Sequence, residues 1–154
     1  MNVEYINPFI EASQIVLKSV ANIDILIGKV YLKTSQYASD TLVMFIGLMG
    51  DLRGQVIISM NKTVALKIAS SMMIGMSVTD LDEIAKSAIS EVANMILGNA
   101  ATILSNKGIK IDITPPSLLM GDNMQISTPK MKTICVSLNI SSGGTIELDI
   151  AAIE

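Results

Sequence analysis

The sequence predicts an α/β (α+β) two-layer sandwich in which about three helices, one of them long, pack on a mixed, mainly antiparallel sheet. Three observations carry this expectation. Apolar residues recur at helical spacing in three stretches, and elsewhere they alternate or run unbroken over strand-length segments. The core material is aliphatic, since half of the residues are apolar but only 3% are aromatic, with no Trp. A chain of 154 residues buries roughly 70% of its unfolded surface, so residues 1–154 are read as one domain that needs no disulfide or metal.

Asn7-Pro8 reads as an N-cap followed by proline at the first helical position, and Phe9, Ser13, Val16, Leu17 and Val20 then keep helical spacing. This places a first helix over roughly 8–20. Residues 25–33 form a first strand, and 41–49 is an almost unbroken apolar run suited to a strand covered on both faces. Gly50-Asp51-Leu52-Arg53-Gly54 turns into a hairpin partner over 55–60, and Asn61 then caps a second helix that ends near Gly75. Asp80-Leu81-Asp82-Glu83 resembles a capping box that opens the long helix, and these carboxylates are read as caps rather than a divalent-ion cluster. Asn106-Lys107-Gly108 stops that helix. Strand periodicity returns at Ile109, Ile111 and Ile113, at Ile134 to Ile140, and at Ile146 to Ile150, the last two joined by a hairpin through Ser141-Ser142-Gly143-Gly144. Pro115-Pro116 and the stretch 121–129 are expected to be irregular.

Composition removes most chemistries. There is no His, which excludes Ser-His-Asp and Cys-His catalysis in cis and most transition-metal sites. The net charge is −3 and the cationic residues are scattered singly, so no nucleic-acid footprint is expected. The longest strongly apolar run, 42–50, is too short to span a bilayer. Met1-Asn2-Val3-Glu4-Tyr5-Ile6 lacks the features of a secretory signal, and a single Cys agrees with a reducing compartment, so a cytoplasmic protein without membrane attachment is expected. That Cys135 has no basic sequence neighbour and reads as a packing residue.

The long helix holds the strongest signal. Ala85, Ala88, Ile89, Val92, Ile96, Ala100 and Ile103 gather into one apolar stripe, while Glu91 and Asn94 project roughly 150° away from its centre as neighbours on one surface. Gly98 projects in nearly the same direction despite a helix-interior cost of about 1 kcal/mol. Close approach of another backbone explains that tolerance, and crowding against a neighbouring helix is the alternative. Six Glu and nine Asn yield about 0.35 Glu-x-x-Asn spacings by chance, so the bare motif decides nothing.

Its surroundings are more specific. The segment from Ala88 to Ser105, with Glu91, Asn94 and then Gly98-Asn99-Ala100, resembles the signature helix of the CheC, CheX and FliY phosphatase family. Residues 65–76, ending in a Met-Met-x-Gly-Met pattern, and Ile111-Asp112-Ile113-Thr114-Pro115-Pro116 followed by Gly121 extend the likeness over nearly the whole chain. One Glu-x-x-Asn helix is similar to the single-site CheX group. Glu11-Ala12-Ser13-Gln14 is only a weak echo of a second site and reads as ordinary helix surface.

The resemblance implies a phosphatase acting on the aspartyl phosphate of a CheY-like response regulator, with Asn94 orienting the attacking water and Glu91 anchoring the regulator's lysine. No cofactor of its own is expected, because the partner receiver domain supplies Mg²⁺. Ser87, Met95 and Gly98 are assigned to the partner-binding surface. A homodimer is expected, from the resemblance and from apolar sheet edges. The alternative is a non-catalytic receiver-binding or flagellar-motor-binding module of the same fold.

Overall fold

The computed structural model describes residues 2–33, 37, 40–74, 76–126 and 131–154. Helix α1 spans Val3–Ala21, with Asn2 as N-cap accepting the Glu4 N–H, and closes on a left-handed Asn22. The expected start at Asn7-Pro8 is therefore corrected. Pro8 lies buried in the second turn, where it withholds a single N–H from the helical ladder while its ring fills core space.

Strand β1 (Ile25–Leu32) pairs with β6 (Ile134–Ile140), and a bulge interrupts the register between Ile27 and Val30. β2 (Thr41–Gly50) and β3 (Arg53–Asn61) form the expected hairpin. Asn61 caps α2 (Lys62–Met72) by accepting the Val64 N–H at 2.9 Å. The expected end at Gly75 falls outside the described residues. The long helix, α3 (Glu83–Asn106), has Asp82 as N-cap to Ala85 at 2.8 Å. The third helical position is Ala85, so the reciprocal half of a capping box is missing and the cap is a single bond.

β4 (Ile111–Ile113), β5 (Ser117–Gly121), β6 and β7 (Thr145–Ile153) complete the sheet, in the order β1-β6-β7-β3-β2-β4, with β5 also on β2. Every strand pairing among the described residues is antiparallel, so the expected mixed sheet has no parallel component there. β5 is a strand that the sequence reading did not assign; it lies between the prolines and the stretch read as irregular, overlaps that stretch at Gly121, and pairs with β2 rather than with a sequence neighbour. Residues 127–129 of that stretch lie outside the described residues.

The buried residues of the three helices share one core with the inward residues of β2, β3, β6 and β7, among them Met44, Ile58, Leu138 and Leu148. The sheet's other face carries a small cluster of Tyr37, Val43 and Ile57, joined by Phe45, Met124 and Ile126. β2 is thus covered on both sides, which accounts for its unbroken apolar run. No helix among the described residues is long and apolar enough to cross a membrane.

Candidate active site

α3 buries Ala85, Ile89, Val92, Ala93, Ile96, Leu97, Ala100 and Leu104 against the other helices and the sheet. A helix seated on so broad an apolar face has one orientation, which turns Ser87, Glu91 and Asn94 out to solvent. Among the described residues neither the Glu91 nor the Asn94 side chain forms a hydrogen bond or ion pair, so a carboxylate and a carboxamide stand uncommitted one turn apart.

They border a cleft of about 420 Å³ lined by Ser87, Ser90, Glu91, Asn94, Ile113, Pro115 and Pro116. One wall is the polar face of α3, and the other is the apolar link between β4 and β5. Of the residues expected at the partner surface, Ser87 lines this cleft and Gly98 continues the same helical face one turn beyond Asn94. Met95 does not line it, since its side chain is half-buried and packs on the core. Sequence reasoning missed Ser90 and the proline wall. Two consecutive prolines between strands were the available signal, because proline in a sheet marks an edge or a bulge.

A Cβ placed on Gly98 meets nothing within 4 Å, which rules out crowding by a neighbouring helix as the reason for glycine. Beyond it, Asn99 donates to the Met95 carbonyl at 2.9 Å and Thr102 to the Gly98 carbonyl at 3.1 Å, so these side chains turn back onto the helix.

A second polar group lies on the sheet face away from the helices. Asp149 is 1% exposed and accepts the Tyr37 hydroxyl at 2.7 Å, with the Lys33 ammonium 3.7 Å away and bonded to Glu147. Cys135 is its cross-strand partner, fully buried, and the second Asp149 oxygen has no hydrogen-bond partner among the described residues. Burial pushes the Asp149 carboxyl above its ordinary value, against the pull of the Cys135 thiol, the Tyr37 hydroxyl and the Lys33 charge. Burial and the adjacent carboxylates likewise raise the Cys135 thiol and the Tyr37 hydroxyl. For Lys33, burial pulls downward but the Glu147 bond and the Asp149 charge prevail, leaving it raised. The ligand atoms of Cys135, Glu147 and Asp149 lie within 4.8 Å of one another. A metal ion there would have to displace Lys33, whose ammonium already supplies the positive charge. Cys135 is thus the packing residue that its sequence context suggests, held as a thiol.

With this geometry in place, comparison with known proteins is decisive. The family described as chemotaxis phosphatase CheX matches residues 42–139. The chain belongs to the CheX family. It is 34% identical over 128 residues to the CheY-P phosphatase CheX of Thermotoga maritima, covering 83% of each chain. The crystal structure of a CheC-like superfamily protein from Shewanella sp. PV-4 superposes with a TM-score of 0.89 at 31% identity, covering 100% of both chains. The CheX-CheY-BeF3-Mg²⁺ complex from Borrelia burgdorferi gives 0.83 at 33% identity, covering 99% of this chain and 100% of that one.

Two predictions follow from the open helix face and the buried carboxyl. Gly98→Ala is expected to raise the unfolding free energy by roughly 0.5–1 kcal/mol in urea titrations, because methyl addition there meets open space; destabilisation would mean that the space is occupied. Asp149 binds its proton more tightly folded than unfolded, so its contribution is fully present below the ordinary value of 3.8 and is lost as pH rises through the raised one. The stability of the wild type relative to Asp149→Asn should therefore be greater at about pH 4 than at about pH 7. An advantage that grows with rising pH would contradict the assignment.

Proposed function

We propose that this CheX-family protein accelerates hydrolysis of the aspartyl phosphate on a CheY-like receiver domain in chemotaxis signalling, with Asn94 as the catalytic group and Glu91 as the anchor. The observation that carries this reading is the uncommitted Glu91–Asn94 pair on an exposed helix face, in a chain of the CheX family.

An acyl phosphate needs little covalent help. Water attacks phosphorus in line with the bond to the aspartyl oxygen, that bond breaks, and carboxylate and inorganic phosphate leave, with the water's proton passing to phosphate or solvent. A carboxamide suits this task because it donates and accepts hydrogen bonds without titrating, so Asn94 holds the water on line at any physiological pH. Glu91, one turn earlier, forms an ion pair with the receiver's active-site lysine and sets the depth at which Asn94 enters. The partner brings its own Mg²⁺, and a magnesium-bearing CheX-CheY complex in the Borrelia relative supports that division of labour. Ser87 and Gly98 extend the docking face on either side of the pair, and Gly98 lets the receiver's backbone come close. The place of action is the cytoplasm, where such receivers work.

The protein also pairs with a second copy of itself through β1 in this reading. Leu26, Val30 and Leu32 on that edge strand are 68%, 59% and 63% exposed, more apolar surface than a lone edge strand usually leaves open.

Asn94→Ala should lower receiver dephosphorylation by about 10² or more while leaving receiver binding intact, as when one transition-state hydrogen bond is lost. Glu91→Lys should weaken binding by like-charge repulsion. Decay of a phosphorylated CheY-type receiver, followed with and without each variant, checks both; near-normal rates in the two variants would reject the mechanism. Sedimentation at micromolar concentration should give a species of twice the chain mass, reduced to the monomer by Leu26→Lys combined with Leu32→Lys. A wild-type monomer would refute the pairing.

A further inference from the structure

The second wall of the cleft is built with more care than a surface link requires. β4 and β5 both pair antiparallel with β2, β4 at residues 48–50 and β5 at residues 41–45, so they are two parts of one edge strand. Leu48 pairs with Ile113 and Phe45 with Ser117. Thr114, Pro115 and Pro116 therefore stand opposite only Ile46 and Gly47, which makes the link a bulge with one residue in excess.

Thr114 closes the ladder across that gap in two ways. Its N–H donates to the Gly47 carbonyl at 3.0 Å, and its hydroxyl oxygen accepts the Gly47 N–H at 2.7 Å. A Cβ at position 47 would meet the Thr114 side chain at 3.0 and 3.2 Å, so glycine is what admits this approach. The two prolines have no N–H to satisfy and little conformational freedom to lose, and they face the cleft beside Ser90, Glu91 and Asn94. The result is a rigid apolar ledge alongside a polar helix face.

The geometry points to a second jaw for receiver docking. Resting on the phosphatase reading above, Pro115 and Pro116 receive an apolar side chain of the receiver that flanks its phosphorylated aspartate. Thr114 is a positioning residue that holds the ledge at the depth set by Glu91. The charge of Glu91 selects the receiver's lysine, while the ledge selects the apolar surface next to it. The occupant is the receiver because the cleft is continuous with the two residues assigned to its phosphate. A ledge already rigid before contact spends little conformational entropy on binding, so its effect appears in affinity rather than turnover.

The test uses full-length protein and a CheY receiver from the same organism, activated with beryllofluoride and Mg²⁺ to measure binding and phosphorylated to measure kcat and KM. Replacing both prolines (Pro115→Gly with Pro116→Gly) should weaken binding about 10-fold and raise KM similarly, with kcat within about twofold of wild type. Thr114→Val should raise Kd by about three- to fivefold and Thr114→Ser should restore it, because serine keeps the accepting oxygen. Far-ultraviolet circular dichroism and urea titration verify folding, and the exposed single change Pro115→Asp is the variant to read if the double glycine protein unfolds. Unchanged affinity in folded proline variants, or a loss confined to kcat, overturns the jaw while leaving the phosphatase reading intact. Failure of the wild type to bind the activated receiver overturns both. Tight binding with an Asn94→Ala protein that still turns over normally overturns only the assignment of Asn94.

Discussion

Burial of one face of α3 is the constraint on which the rest depends. Ile89, Val92, Ile96 and Leu97 are all nearly or fully buried, and each contributes about 1.5–3 kcal/mol relative to exposure. A turn of the helix by one residue, about 100°, would carry Glu91 toward the core in place of Val92. An unpaired carboxylate there would cost several kcal/mol. The orientation that buries the aliphatic stripe is therefore the one that leaves the carboxylate and amide free, so stability and exposure of the candidate site have a single cause.

The sheet serves the site from the other side. β2 is packed on both faces, and its free edge is completed by two short strands instead of one. The register change between them lies at Gly47, where the chain cannot continue a regular ladder because two prolines follow Thr114. Asp51 reinforces the same edge, accepting the Lys110 N–H at 2.7 Å and donating its own N–H to the Lys110 carbonyl. The wall opposite α3 is consequently fixed by hydrogen bonds to a buried strand, while the helix wall is fixed by apolar packing. Two independent supports hold the cleft open.

How much of this could be read in advance follows from the range of the interactions. α3, its stop at Gly108 and the β6–β7 hairpin rest on local periodicity and turn chemistry, and they appear where the residues indicate. Glu91 and Asn94 are outward for the same reason. Local signals misled where two competed. Asn7-Pro8 has the form of a helix start, but Asn2 offers an earlier cap and the core benefit of Pro8 outweighs one missing bond. Asp82 was recognisable as a cap, yet Ala85 cannot return the hydrogen bond. β5 was invisible because its partner is distant in sequence, with Thr41 opposite Gly121 and Phe45 opposite Ser117. The Lys33–Glu147–Asp149 group was hidden for the same reason, since Lys33 just past β1 meets Glu147 and Asp149 of β7 more than a hundred residues on.

That hidden group sharpens the division of labour within the protein. Burial bears on its Lys33 and Asp149, yet the Lys33 ammonium is paired with Glu147 and Asp149 on the face away from the helices. The candidate site is the opposite case, with side chains that no neighbour engages. A hydrolase that generated its own nucleophile would need the perturbed groups at the reacting centre. A protein that completes another's active site needs uncommitted ones, presented at fixed spacing on a rigid support. Glu91 and Asn94 on a well-seated helix, facing a proline ledge tied to the sheet, satisfy the second requirement and not the first. The arrangement is therefore suited to orienting a water over a phosphoryl group that the partner has already bound and charge-neutralised.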